Sequence, residues 1–221
     1  AGVHPGFWLR GLTPKQWTFS PDPQEVRSQV WGLFKQPKVQ VGNHLLVATD
    51  GSGGEHGSDA RLRRVGWGLV LLDTANVHPL GIAYGTVSGL QTVPRAELFA
   101  LVYLASQTDG DVEVLVDSSY VVKGFSKGSK FPQSKNKDLW GSLWKAVEGR
   151  AGILTVTKVR AHATPSELES SEIPPLHFLA NSMADVLADM GSKLSALNPV
   201  WVEEVGALDL KVRRIQERLV S

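Results

Sequence analysis

No cysteine occurs in the 221 residues, which excludes disulfides, thiolate nucleophiles and zinc sites built on sulfur, and is compatible with a reducing compartment. An excess of either charge is missing too: 23 Lys and Arg stand against 22 Asp and Glu, a formal net charge of +1. A polyanionic partner would therefore have to be held by a local basic patch and by metal ions, not by a global field. No stretch approaches the roughly 18 uninterrupted apolar residues of a membrane span, and the opening AGVHPGFWLRGL has no apolar signal core. Internal repeats and low-complexity tracts are also absent. The first residue is not methionine, which points to a processed chain or an excised fragment. These absences lead us to expect a soluble, monomeric, intracellular module, in cytoplasm or nucleus, with no membrane partner.

What is present suffices for one substantial core with appendages. Residues 1–43 combine Phe7, Trp8, Trp17, Phe19, Trp31 and Phe34 with Pro5, Pro14, Pro21, Pro23 and Pro37. The Ser20–Gln24 stretch offers a start for a short helix through Trp31, and the rest reads as irregular chain whose aromatics cover one face of the main domain. From Leu45 the pattern is orderly. Strands are expected at Leu45–Thr49, Val65–Leu72 and Val77–Val87, the short turn between the last two implying an antiparallel meander. Between the first two, residues 51–64 read as an exposed polar loop.

A helix then opens at Pro94, VEVLVD forms a buried strand ending on Asp117, and Ser118 and Ser119 offer caps before Tyr120. A further helix is expected over Asp138–Glu148, a fifth strand over Ile153–Val159, and a helix over Leu176–Met190 whose methionines read as core filler. After a linker at Ser195–Pro199, Val200–Leu219 has a patchy helical period. Three strands followed by strands alternating with helices imply an α/β fold, a mixed sheet with helices packed on it.

Acids recur at matching places in this order. Asp50 ends the first strand ahead of a glycine-rich turn, Glu97 lies in the first turns of the first helix, and Asp117 ends the fourth strand. Asp185 follows Asn181 by four residues on one helix face. Each has an ordinary reading: turn former, helix N-terminal charge, cap, solvated helix residue. Together they have another. Clustered carboxylates repel unless neutralised, and hard oxygen donors in that number suit Mg2+ or Mn2+. Two such ions bridged by one carboxylate activate a water and stabilise the leaving oxygen of a phosphodiester.

The segments TDGSG with Asp50, RAELFAL with Glu97, VDSSYV with Asp117, NKDLW at 136–140, VRAHA with His162 and ANSMADVLA with Asp185 resemble, in order, the motifs of the ribonuclease H family. The likeness is to the type 1-like domains joined to reverse transcriptases in retroelements. It covers about residues 44–192, leaving residues 1–43 as an N-terminal extension or linker and 193–221 as a C-terminal extension, partly helical. It implies a five-stranded mixed sheet in the order 3-2-1-4-5 with helices on both faces. It also implies a reverse transcriptase domain in the same parent polypeptide, and hydrolysis of the RNA strand of RNA:DNA hybrids to 5′-phosphate and 3′-hydroxyl ends.

By resemblance, Asp50 is the ligand shared by two ions, Mg2+ or Mn2+, with Glu97 and Asp117 serving the two individual sites and Asp185 the fourth carboxylate. His162 resembles the loop histidine that assists proton transfer or product departure, work for which imidazole is suited. Gly51, Ser52, Ser118, Ser119 and Asn181 are the candidates for reading ribose hydroxyls. Lys123, Lys127, Lys130, Lys135 and Lys137, interleaved with Phe125 and Phe131, form a strip for phosphate contact. Val93, Pro94 and Ser119 depart from the side chains with which bacterial members touch the hybrid. Two other readings remain: a catalytically weak hybrid-binding or connection domain, and another nuclease of the same superfamily.

Overall fold

The structure is a computed structural model that describes residues 4–19, 22–23, 25–42, 45–130, 135–160 and 174–221. Period-two alternation decides its main layer. In β3 (Leu45–Ser52), β4 (Gly66–Asp73), β5 (His78–Thr86), β7 (Val112–Val116) and β8 (Leu154–Lys158) successive side chains serve opposite faces. Val47, Trp67, Leu69, Leu71, Val114 and Val116 face one way, packing under α2 (Val93–Gln107), α3 (Ser119–Ser126) and α4 (Lys137–Gly149). Leu46, Ala48, Val70, Leu72 and Leu115 face the other way, against α5 (Pro175–Lys193). The expected α/β architecture with helices on both faces is observed.

The five strands expected from the sequence run β5-β4-β3-β7-β8, which is the order 3-2-1-4-5. Their meander is antiparallel and β7 and β8 are parallel to β3. The strand count needs correction. A sixth strand, β1 (Ser28–Gly32), pairs antiparallel with β5 from Ser28↔Gly85 to Gly32↔Gly81. Thus no helix runs through to Trp31. Pairing with β5, a partner about fifty residues away, overrides the local helix-start signal. A separate parallel ladder joins β2 (Val39–Gln40) to β6 (Thr108–Asp109).

The N-terminal aromatics divide. Phe7 and Phe34 are buried, whereas Trp8 and Trp31 are more than half exposed, so only part of this set acts as cover. A short helix α1 (Pro5–Arg10) carries Phe7 onto Trp17 and lies against the C-terminal helix α6 (Pro199–Val220). The patchy helical period of Val200–Leu219 is thus a continuous helix. Arg61, in the loop after β3, forks between Asp59 and Asp209 at 2.6 Å each, tying that loop to α6. Among the described residues no helix is long and apolar enough to cross a membrane.

α5 sits unusually near the sheet because both surfaces are small. Its buried face is Ala180, Ala184, Leu187, Ala188, Gly191 and Ser192. Opposite lies Gly68, where a Cβ would stand 2.4 Å from the Ala188 nitrogen and 2.6 Å from the Ala184 oxygen. The axis that buries these small residues turns Val186 and Met190 outward, so Met190 is surface, while Met183 packs on the core as expected. Because the opposing atoms are helix backbone, Gly68→Ala is expected to cost about 2–3 kcal/mol through overpacking. Gly141→Ala in α4, where a new Cβ meets nothing within 4 Å, is expected to add about 0.5–1 kcal/mol. Urea unfolding of the two variants measures both.

Candidate active site

The β3 strand runs three residues beyond the expected Thr49, to Ser52, so Asp50 lies within it, buried and paired with Gly68. Beside it, β7 stops at Val116, so Asp117 is the first residue beyond the strand, half-buried. Glu97 reaches the same place from α2. This requires the next residue of β3 to be small: a Cβ on Gly51 would lie 2.6 Å from the Glu97 nitrogen. Ligand oxygens of Asp50, Glu97 and Asp117 come within 4.8 Å of one another. Asp185 approaches from α5, near enough for its charge to help hold the proton on Asp50, but it is not one of the three acids whose oxygens cluster within 4.8 Å.

Crowding is visible in the acidities. Burial, and then the neighbouring Asp117, push Asp50 from its ordinary 3.8 to about 7, against a hydrogen bond from the Gly51 amide at 2.7 Å. Burial also lifts Glu97 well above its usual range, with Asp50 and Asp117 adding to it and Lys158 opposing it. Glu97 Oε2 is buried without a hydrogen-bond partner. An orphaned carboxylate oxygen among two further carboxylates is what a hard divalent cation would satisfy, and the all-oxygen donor set fits Mg2+ or Mn2+ chemistry.

The residues expected to surround the acids are placed unevenly. Gly51 is buried under Glu97, so it serves close packing; Ser52 is half-buried and donates to Asp189, while accepting from the Gly54 amide at 3.0 Å. The turn after Asp50 is thereby pinned to α5. Asn181 lies one turn before Asp185 with Oδ1 buried and unpartnered. Ser118 is the residue before α3 and makes no side-chain capping bond, and Ser119 is exposed. Lys123, Lys127, Lys130, Lys135 and Lys137 are all exposed. Phe125 stacks on Trp144 at 5.2 Å beneath this strip. His162 and Phe131 lie outside the described residues.

The NKDLW segment holds three helices in register near the site. The Tyr120 hydroxyl accepts from Trp140 Nε1 at 2.9 Å and Asn136 Nδ2 at 3.2 Å, and donates to the Lys135 carbonyl at 3.1 Å. Arg95, two residues before Glu97, meets Asp138 at 2.6 Å. Two residues next to the centre were not singled out from the sequence. Asp189 follows Asp185 by four residues, a spacing that was legible, but its Ser52 partner is far away in the chain. Lys158 ends β8, and its amine donates to the Asp117 carbonyl at 2.6 Å.

A mixed sheet that gathers carboxylates from two neighbouring strands and from a helix packed on it defines an all-oxygen acidic centre on an α/β fold, a donor set that suits hard divalent cations. The RNase H family model matches residues 42–193, and the chain belongs to the ribonuclease H family, as an enzyme of that type. Among solved structures it is similar to the protease-reverse transcriptase of prototype foamy virus, at 20% identity and TM-score 0.51. That match covers 70% of this chain and 21% of the viral protein, so the chain spans about a fifth of its length. It is also similar to LC11-RNase H1, isolated from compost and solved with an RNA/DNA hybrid, at 18% identity and TM-score 0.50, covering 68% of this chain and 98% of that one. No curated protein sequence matches.

The acidities make a prediction for the metal-free protein. The native state keeps a proton on Asp50 up to about pH 7, whereas the unfolded chain releases it near 3.8, so between these values the native state binds more protons. Stability should therefore be fullest below about pH 4 for this group and fall as pH rises through about 7. Asp50→Asn should flatten that fall, and added Mg2+ should restore wild-type stability most at alkaline pH. Thermal melts from pH 4 to 8 read this; equal slopes in the two proteins would contradict it.

Proposed function

We propose that the chain hydrolyses the RNA strand of RNA:DNA hybrids with two divalent cations, Mg2+ or Mn2+, leaving 5′-phosphate and 3′-hydroxyl ends. The observation that carries this reading is the convergence of Asp50, Glu97 and Asp117, with an orphaned Glu97 oxygen, at the strand ends of a ribonuclease H family fold. When bound, the two cations supply a nucleophilic water at neutral pH and charge stabilisation for the departing oxygen.

The chain's own residues do the rest. Asp50, the most central acid, is the ligand common to both sites; Glu97 holds one and Asp117 the other. Asp185, near Asp50, completes the set. His162 moves the proton at the departing oxygen or helps the product leave. Ser52, fixed by Asp189 and Gly54, together with Ser118, Ser119 and Asn181, reads the ribose side of the groove, and the exposed lysines of α3 and the following turn track the backbone. The substrate assignment is supported by the relative solved with an RNA/DNA hybrid. A reverse transcriptase domain in the same polypeptide is supported by the foamy virus relative, whose matched part is a fraction of a protease-reverse transcriptase. We place the activity inside the cell, in a monomer.

Cleavage of labelled hybrid, double-stranded RNA and double-stranded DNA tests this directly. Hybrid cleavage should need Mg2+ or Mn2+, stop with chelator and fall at least about a thousandfold in Asp50→Asn, since lost ligation costs several kcal/mol. Metal-independent cleavage equal in wild type and variant would overturn the catalytic reading, and preference for double-stranded DNA would move the substrate to another nuclease class. Hybrid binding without cleavage by wild type would favour a connection or binding role.

A further inference from the structure

The rim of the acid centre contains a cation that the carboxylate chemistry does not use. Lys158 is the last residue of β8, paired in register with Val116, so its backbone lies beside the residue preceding Asp117. Along β8, which packs against α3, Leu154 belongs to the core and Val156 packs against it. By alternation Lys158 falls on the same face as both, the side from which Glu97 enters, at the point where the strand runs out of core to cover. An apolar residue would be the ordinary continuation of Leu154 and Val156. A lysine there instead leads an ammonium out over the strand ends.

Its side chain is exposed, yet its position is defined. The amine donates to the main-chain carbonyl of Asp117 at 2.6 Å and to that of Val159. Both acceptors are neutral, so they orient the ammonium without cancelling its charge, and a third N–H remains for another acceptor. Among the described residues no carboxylate forms a salt bridge with it, although its charge is felt at Glu97. A positive charge is thereby held on the main chain of Asp117, one of the clustered acids, in a site that must receive a polyanion against its own negative charge.

We propose that Lys158 is a substrate-binding residue that donates to a phosphate oxygen of the RNA strand at the acid centre, an inference that rests on the hybrid-cleaving reading above. The Asp117 and Val159 carbonyls hold the amine ready, so phosphate binding needs no rearrangement of the strand ends. Lys158 differs in this from the exposed lysines of α3 and α4, which lie along the flanking surface. Its contact is local to the reacting nucleotide.

Binding of a fluorescent RNA:DNA hybrid to the full 221-residue chain tests this, in an Asp50→Asn background and in chelator, by anisotropy between about 50 and 200 mM salt. Lys158→Met should weaken binding about tenfold and reduce the slope of log affinity against log salt by about one, as loss of one phosphate contact requires. Lys158→Arg should restore both. If the Asp50→Asn parent binds hybrid but Lys158→Met binds with unchanged affinity and slope, the Lys158 role is overturned alone. A lowered melting temperature in Lys158→Met with an unchanged salt slope would make the amine a clamp on the strand ends and overturn it equally. If the parent has no affinity for hybrid, the functional reading itself falls.

Discussion

Mutual repulsion among buried carboxylates is the constraint on which this structure turns. Oxygens of three acids within 4.8 Å of one another would separate if their backbones could move, so each is carried by an element that cannot. Asp50 is on a strand bonded on both sides, by β4 and by β7. Glu97 is on a helix that Gly51 admits against β3 and that Arg95 ties to α4. Burial first, and then the repulsion that this rigidity preserves in the metal-free state, keep the proton on Asp50 up to about 7. The same preorganisation lets an arriving cation find its ligands already in place.

Much of this was legible in the sequence because it depends on local period. Apolar runs and alternation marked the five strands, with ends displaced by at most three residues, and two of the four acids, Asp50 and Asp117, fell where the pattern stopped. The NKDLW segment, recognisable as a motif, has its physical reason only in three dimensions, where Tyr120 gathers Asn136, Trp140 and Lys135. What local patterning misses is anything decided by a distant partner. SQVWG is too short for its alternation to speak, and the prolines before it imitate a helix start. β5 makes it a strand. Likewise, Lys158 is an unremarkable charge at a strand end until the β7–β8 register sets it beside Asp117.

The small-residue face of α5 was hidden for a different reason. A search for large apolar residues at helical spacing finds Val186 and Met190, but against a glycine-bearing strand the favoured contact is between backbones. The helix therefore turns alanine and glycine inward. This close seating brings Asp185 to Asp50 and lets Asp189 hold Ser52, so one packing choice aligns two points of the site.

The position of β1 bears on where this protein can be cut. The family match spans residues 42–193, and a fragment trimmed to it would lose the strand that now occupies the outer edge of β5. Its removal would leave the β5 amides and carbonyls that face Ser28–Gly32 without partners, along a strand nine residues long. A bare edge of that length is a template for another chain. With β1 in place the outermost strand of the sheet is five residues long where β5 alone would present nine, so the segment ahead of residue 42 shortens the edge on offer to another chain.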